Sequence, residues 1–137
     1  MNILFFLTPK QDVRTLMYGY TVRQAIEKQK HSGFTALPVI DEQGLYRGSL
    51  TEGDLLYALT GDNKQGDWEQ IHIADIIKPE RLPAVRVDAQ IDDLLQSVMT
   101  QNFVPVIDDR DCLIGIVKRS TIIGYLLGER VQKSTDA

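Results

Sequence analysis

The stretch PVIDEQGLYRG at positions 38–48 returns as PVIDDRDCLIG at positions 105–115. A chain that carries one unit twice must fold as two similar halves, and that restricts its architecture more than composition does. Shifting residues 38–61 by 67 positions gives 24 aligned pairs, of which seven are identical: Pro38, Val39, Ile40, Asp41, Gly48, Leu59 and Gly61 all recur. Unrelated segments of ordinary composition share about one or two. Other pairs keep their apolar character, among them Leu50 with Val117, Leu55 with Ile122 and Leu56 with Ile123. Upstream the match continues with small slips. Val22, Ala25 and Ile26 answer Ile91, Leu94 and Leu95, and FLTPK at 6–10 answers IIKPE at 76–80.

Each copy reads as an extended lead-in, a helix, a strand, a turn, a second strand and a second helix. Ile91, Leu94, Leu95, Val98 and Met99 have the i, i+3, i+4, i+7, i+8 spacing of an amphipathic helix. ALPVID and FVPVID are short apolar runs closed by turn residues. In the first turn Gly44 is free to take a positive φ, whereas DDRD has no glycine for that job. Gly48 and Gly115 interrupt the second strands, which marks a close approach by backbone or ligand. LLYALTG and TIIGYLLG read as helices closed by Gly61 and Gly128. The expected organisation is a first repeat at 1–61, a polar connector at 62–71, a second repeat at 72–128 and a polar, fraying tail at 129–137. A half of about 60 residues is marginal alone. The expected fold is therefore α+β, with two β-α-β-β-α units packed through their sheets as a pseudo-twofold pair and a cleft between them.

Composition excludes some classes. A formal charge of −4 supplies no broad basic field for nucleic acid or an anionic membrane, so neither is expected as a partner. The run MNILFFL has no basic stretch before it, and Pro9 closes it too early for a membrane span. It reads as a buried segment, and with no export signal or disulfide framework the expected location is the cytoplasm. The one cysteine, Cys112, reads as a small core residue. His31 and His72 lack the neighbours of a metal site, and Trp68 reads as a packing anchor. No Ser/His/Asp or Cys/His set, phosphate loop or metal cluster asks for catalysis, so no enzymatic activity and no required cofactor are expected.

Chemistry concentrates in Gly48-Ser-Leu-Thr51-Glu-Gly-Asp54. Thr51-x-x-Asp54 before an apolar run is a capping box, in which hydroxyl and carboxylate satisfy free N–H groups at a helix start. The same geometry suits a nucleotide. Open N–H groups and a hydroxyl attract phosphate, and a carboxylate accepts hydrogen bonds from both hydroxyls of a ribose. Both readings remain open at this level.

The paired pattern GFTALPVID…GSLTEGDLL and NFVPVIDD…LIGIVKRSTII resembles a tandem of cystathionine-β-synthase (CBS) domains, the Bateman module, over about residues 3–128. The resemblance implies regulatory binding of an adenosyl ligand (AMP, ADP, ATP, S-adenosylmethionine or cyclic di-AMP) in the cleft between repeats. It also implies homodimerisation and an effector protein that reads the occupied state in trans. Carried onto this chain, it places ribose on Asp54 and the ribose–phosphate junction at Thr51. Adenine falls to Phe34, Thr35, Ala36 and Pro38, with Leu7, Thr8 and Pro9 closing over the base. In the second copy Phe103 and Pro105 stand where Ala36 and Pro38 do, but Lys118 replaces the threonine and Thr121 replaces the aspartate. Lys118 and Arg119 are then either a solvated basic pair or the groups that face the phosphates of the ligand. The competing class is a ligand-free protein-interaction module, in which Thr51 and Asp54 only cap a helix.

Overall fold

The structure, a computed structural model, describes residues 2–33, 35–60 and 67–135. The first repeat contains strands β1 (Thr8–Pro9) and β2 (Leu16–Met17), helix α1 (Val22–Lys30), the hairpin β3 (Ala36–Ile40) and β4 (Tyr46–Thr51), and helix α2 (Glu52–Thr60). The second contains β5 (Val85–Arg86), α3 (Ile91–Thr100), the hairpin β6 (Phe103–Ile107) and β7 (Leu113–Lys118), and α4 (Arg119–Thr135). The α+β class and the twofold repetition are both present. Single 3-10 turns at Ile3–Phe6 and Ile73–Asp75 open the two lead-ins.

Local chemistry accounts for these elements. Thr21 and Gln24 close a reciprocal capping box at the start of α1. Asp92 and Asp93 sit in the first turn of α3, where the helix dipole favours negative charge. β3 reads as continuous apolar sequence because Leu37 through Ile40 are all buried. In the β3–β4 turn Asp41 Oδ1 accepts from the N–H groups of Gln43 and Leu45, and Gly44 takes φ +87°. The second turn repeats this with Asp108, Arg110 and Cys112, and Asp111 takes the left-handed conformation at φ +64° in place of a glycine. The two turns also pair with one another, Tyr46 N–H to Asp111 C=O and Leu113 N–H to Gly44 C=O.

Three expectations need correction. Cys112 is not a core residue; it lies half-buried at this turn–turn junction, with Sγ 3.6 Å from the Gln43 carbonyl oxygen. Met99 faces solvent although its spacing matches the buried stripe, because Val98 already fills the last turn of α3 against the sheet. α4 runs through Gly128 to Thr135, so that glycine does not close it. Gly61 and connector residues 62–66 lie outside the described residues. Trp68 packs against the first core, as expected of an anchor.

The sheets show a crossing that the sequence pattern hides. The first has the order β2-β3-β4, with β2 parallel and β4 antiparallel to β3. The second has the order β1-β7-β6-β5, so β1, from the front of the first repeat, is the edge strand of the second repeat's sheet. Thr8 stands opposite Ile116 and Pro9 opposite Gly115. Ile3 and Phe6 accordingly fill the second core, beside Leu94, Val104 and Val117. Reciprocally, Ile73 from the second lead-in fills the first core, and Ile77 and Pro79 lie against Gly48 of β4. The two strand glycines are thus explained by close packing: a Cβ at Gly115 would overlap the Thr8 carbonyl oxygen, and one at Gly48 would meet the Ile77 side chain and the Pro79 Cα. Among the described residues no helix is long and apolar enough to cross a membrane.

Candidate nucleotide cleft

β4 delivers Thr51 at its last residue, and Asp54 follows in the first turn of α2. The capping box forms: Asp54 N–H donates to Thr51 Oγ1 at 3.0 Å, and Thr51 N–H donates to Asp54 Oδ2 at 3.0 Å. Asp54 is 7% exposed, so its remaining oxygen needs a partner. That partner is Arg81, whose Nη1 lies 2.5 Å from Asp54 Oδ1 and 3.1 Å from Thr51 Oγ1. Arg81 belongs to the second lead-in and reaches Asp54 because that segment crosses onto the first repeat.

The loop carrying Arg81 is fixed on both sides. Arg81 N–H closes a turn onto Lys78 C=O, and Leu82 adopts φ +57°. A left-handed leucine costs about 1–2 kcal/mol and persists only where its surroundings hold it. Here the Tyr46 hydroxyl donates to Leu82 C=O at 2.8 Å, and Gln101 Nε2 donates to Pro83 C=O at 3.2 Å. Burial pushes the Tyr46 phenol up to about 12, against the opposing pull of its hydrogen bond with Ser49.

Two cavities meet here. The larger, about 500 Å³, is lined by Thr51, Glu52, Gly53, Arg81, Leu82, Thr100, Gln101 and Arg119. The smaller, about 260 Å³ and mainly apolar, is lined by Asp12, Val13, Arg14, Leu37, Pro38, Ile116, Lys118 and Ser120. Thr35, Ala36, Asn102 and Phe103 line both, so the two strand starts form the partition between them. The smaller one opens where sheet pairing stops: β2 pairs with Val39 and Ile40, and Pro38, next along, has no N–H to continue a ladder.

The residues expected from sequence divide as follows. Thr51 lines the larger cavity, and Asp54 lies beneath it, bonded to Arg81 on its wall. Thr35, Ala36 and Phe103 border both cavities, while Pro38 lines the smaller one, on the far side of the partition from Asp54. Lys118 and Arg119 face different cavities, Lys118 lining the smaller and Arg119 the larger. Their separation follows from the strand ending at one and the helix starting at the other. Arg119 is held by Val98 C=O at 2.8 Å and Asn102 Oδ1 at 3.0 Å. Leu7, Thr8 and Pro9 line neither cavity, because β1 pairs with β7; the segment over the Asp54 cavity is Arg81–Leu82 instead. Pro105 is buried and Thr121 exposed, and both stand outside the two cavities. Phe34 lies outside the described residues. Arg14, Arg81 and Gln101 were not evident from sequence; only IIKPE answering FLTPK pointed toward the loop that carries Arg81.

A family model described as the CBS domain matches residues 7–61 and 73–128, and the chain belongs to that family. Solved structures with this fold include CbpB in complex with c-di-AMP, at 19% identity and TM-score 0.91 over 100% of this chain and 91% of that one. CbpB of Listeria monocytogenes in complex with c-di-AMP aligns at 16% identity and TM-score 0.86, over 95% and 98% of the two chains. CBSX2 in complex with AMP aligns at 24% identity and TM-score 0.77, over 94% and 98%. Among curated proteins a homoserine O-acetyltransferase of Methanohalophilus mahii is 29% identical over 82% of this chain, which spans 22% of that protein's length.

Proposed function

We propose that the chain is a regulatory module that binds an adenosyl ligand in the cleft between its repeats and reports occupancy to an effector protein in trans. The observation that carries the reading is the pair of cavities joined at Thr35–Ala36 and Asn102–Phe103, with the Asp54 carboxylate beneath one and the cations Arg14 and Lys118 on the walls of the other. Asp54 offers the charged acceptor that ribose hydroxyls need, and the apolar walls suit a purine face. The c-di-AMP and AMP complexes of proteins with the same fold support the ligand class. A dinucleotide has one nucleoside for each cavity, whereas a mononucleotide takes the Asp54 side. The module works in the cytoplasm as a homodimer through the apolar residues exposed on α2 and α4.

The decisive experiment is a thermal-melt panel on nucleotide-free protein with AMP, ADP, ATP, S-adenosylmethionine, NAD and cyclic di-AMP. A ligand at 100 times its Kd adds about 2.7 kcal/mol, several degrees in a chain of this size. A selective shift is expected, and a flat panel at millimolar ligand sinks the proposal. The completed capping box supports a second reading, a ligand-free interaction module. On that reading Asp54→Ala lowers stability and changes no response in the panel.

A further inference from the structure

Given an adenosyl site in the cleft, the reading on which this inference rests, the Arg81–Asp54 contact bears on which adenosyl ligands are admitted. Both oxygens of the buried Asp54 already carry donors, Thr51 N–H on Oδ2 and Arg81 Nη1 on Oδ1. Oδ2 is committed to the helix cap. Oδ1 is the oxygen a ribose would take, and Arg81 stands on it. The Arg81 side chain is 38% exposed on the cavity wall. The backbone of its loop is held independently, Arg81 N–H by Lys78 C=O, Leu82 C=O by the Tyr46 hydroxyl and Pro83 C=O by Gln101 Nε2. The side chain can therefore leave the carboxylate while the loop stays in place. The other charged groups on this wall are engaged elsewhere: Arg119 on Val98 and Asn102, and Glu52 accepting from Gln29 Nε2 at 3.1 Å.

We propose that Arg81 is a specificity-determining residue: it surrenders Asp54 to the ribose and pairs instead with the phosphate of the same ligand. Arg81 holds Asp54 through Nη1 alone, and a guanidinium keeps further N–H donors with which to meet a phosphate. The exchange discriminates by charge. A phosphorylated nucleoside replaces the counter-charge that Arg81 loses. An uncharged nucleoside breaks the ion pair and leaves a half-buried guanidinium without one. A sulfonium nucleoside puts a like charge at the 5′ carbon, where a phosphate would put the counter-charge, and its carboxylate lies farther out on the methionine chain. The ligand class is therefore phosphorylated adenosyl compounds, with adenosine and S-adenosylmethionine disfavoured.

The test is calorimetric titration of nucleotide-free wild type, Arg81→Ala and Arg81→Lys with AMP, adenosine and S-adenosylmethionine. Wild type should favour AMP over adenosine by at least about tenfold, the range of one charge-assisted contact. Arg81→Ala should bind adenosine more tightly than wild type and AMP more weakly, bringing the preference to about twofold or less. Arg81→Lys should retain part of it. If Arg81→Ala does not melt cooperatively, Arg81→Gln is read in its place. Equal AMP-to-adenosine ratios in wild type and variant overturn the role of Arg81 while leaving the adenosyl reading intact. Failure of wild type to bind any of the three probes overturns the role of Arg81, and the adenosyl reading itself falls only if the full melt panel, cyclic di-AMP included, is also flat.

Discussion

At Asp54 one carboxylate closes a helix cap, neutralises an arginine and stands under the cavity where a ribose would bind. Thr51→Ala removes a cap hydroxyl and should cost about 1 kcal/mol. Asp54→Ala loses the cap and leaves Arg81 without its counter-charge, so a larger loss of about 2 kcal/mol is expected. Urea denaturation of the two variants checks the order, and an equal cost for both would mean that the Arg81 pair adds nothing. Tyr46 gives a pH-dependent test. Its folded pKa lies near 12, above the ordinary 10.0, so its contribution is intact below pH 10 and is lost as pH rises through about 12. Tyrosinate absorbance should show a late component that Tyr46→Phe abolishes. The aspartate was legible because Thr51-x-x-Asp54 is local. Arg81, 27 residues away in a polar loop, carried no pattern that could link it to Asp54.

Among the elements, the short leading strand has the largest effect on how the halves relate. Gly115→Ala forces a side chain into the Thr8 carbonyl and should detach β1 from β7, at a cost of about 1–3 kcal/mol. Faster amide exchange confined to residues 3–9 and the β7 edge would report it; unchanged exchange would mean that β1 contributes little. Gly48→Ala, at φ +119° and against Ile77 and Pro79, should loosen the Arg81 loop as well. The hairpins were legible in the sequence because strand and turn residues are neighbours, and their identity at an offset of 67 survives. The crossing was not. FLTPK and IIKPE show the same apolar pattern whether each pairs with its own repeat or with the other. Lys118 and Arg119 divide for a related reason: adjacency in sequence gives no hint that a strand-to-helix junction sends them to different cavities.

Taken as a whole, the molecule exposes large apolar side chains on the last helix of each repeat: Leu56 and Tyr57 on α2, and Ile123, Leu126 and Leu127 on α4. On the proposed reading this surface is the face through which two copies pair. Tyr57→Lys with Leu126→Lys should convert a dimer to a monomer in sedimentation velocity, with little change in far-UV circular dichroism. A wild type that sediments as a monomer at all concentrations would remove the homodimer. The crossed strands have a further consequence, for the order of events on the ribosome. Thr8 is made long before its partner Ile116. The first half therefore leaves the exit tunnel with Ile3 and Phe6 bare and its own sheet still waiting for Ile77 and Pro79. Such non-local closure slows folding and prolongs exposure of apolar chain. Nascent chains stalled before β7 should stay open to protease along residues 3–9, and become resistant there only once β7 has emerged.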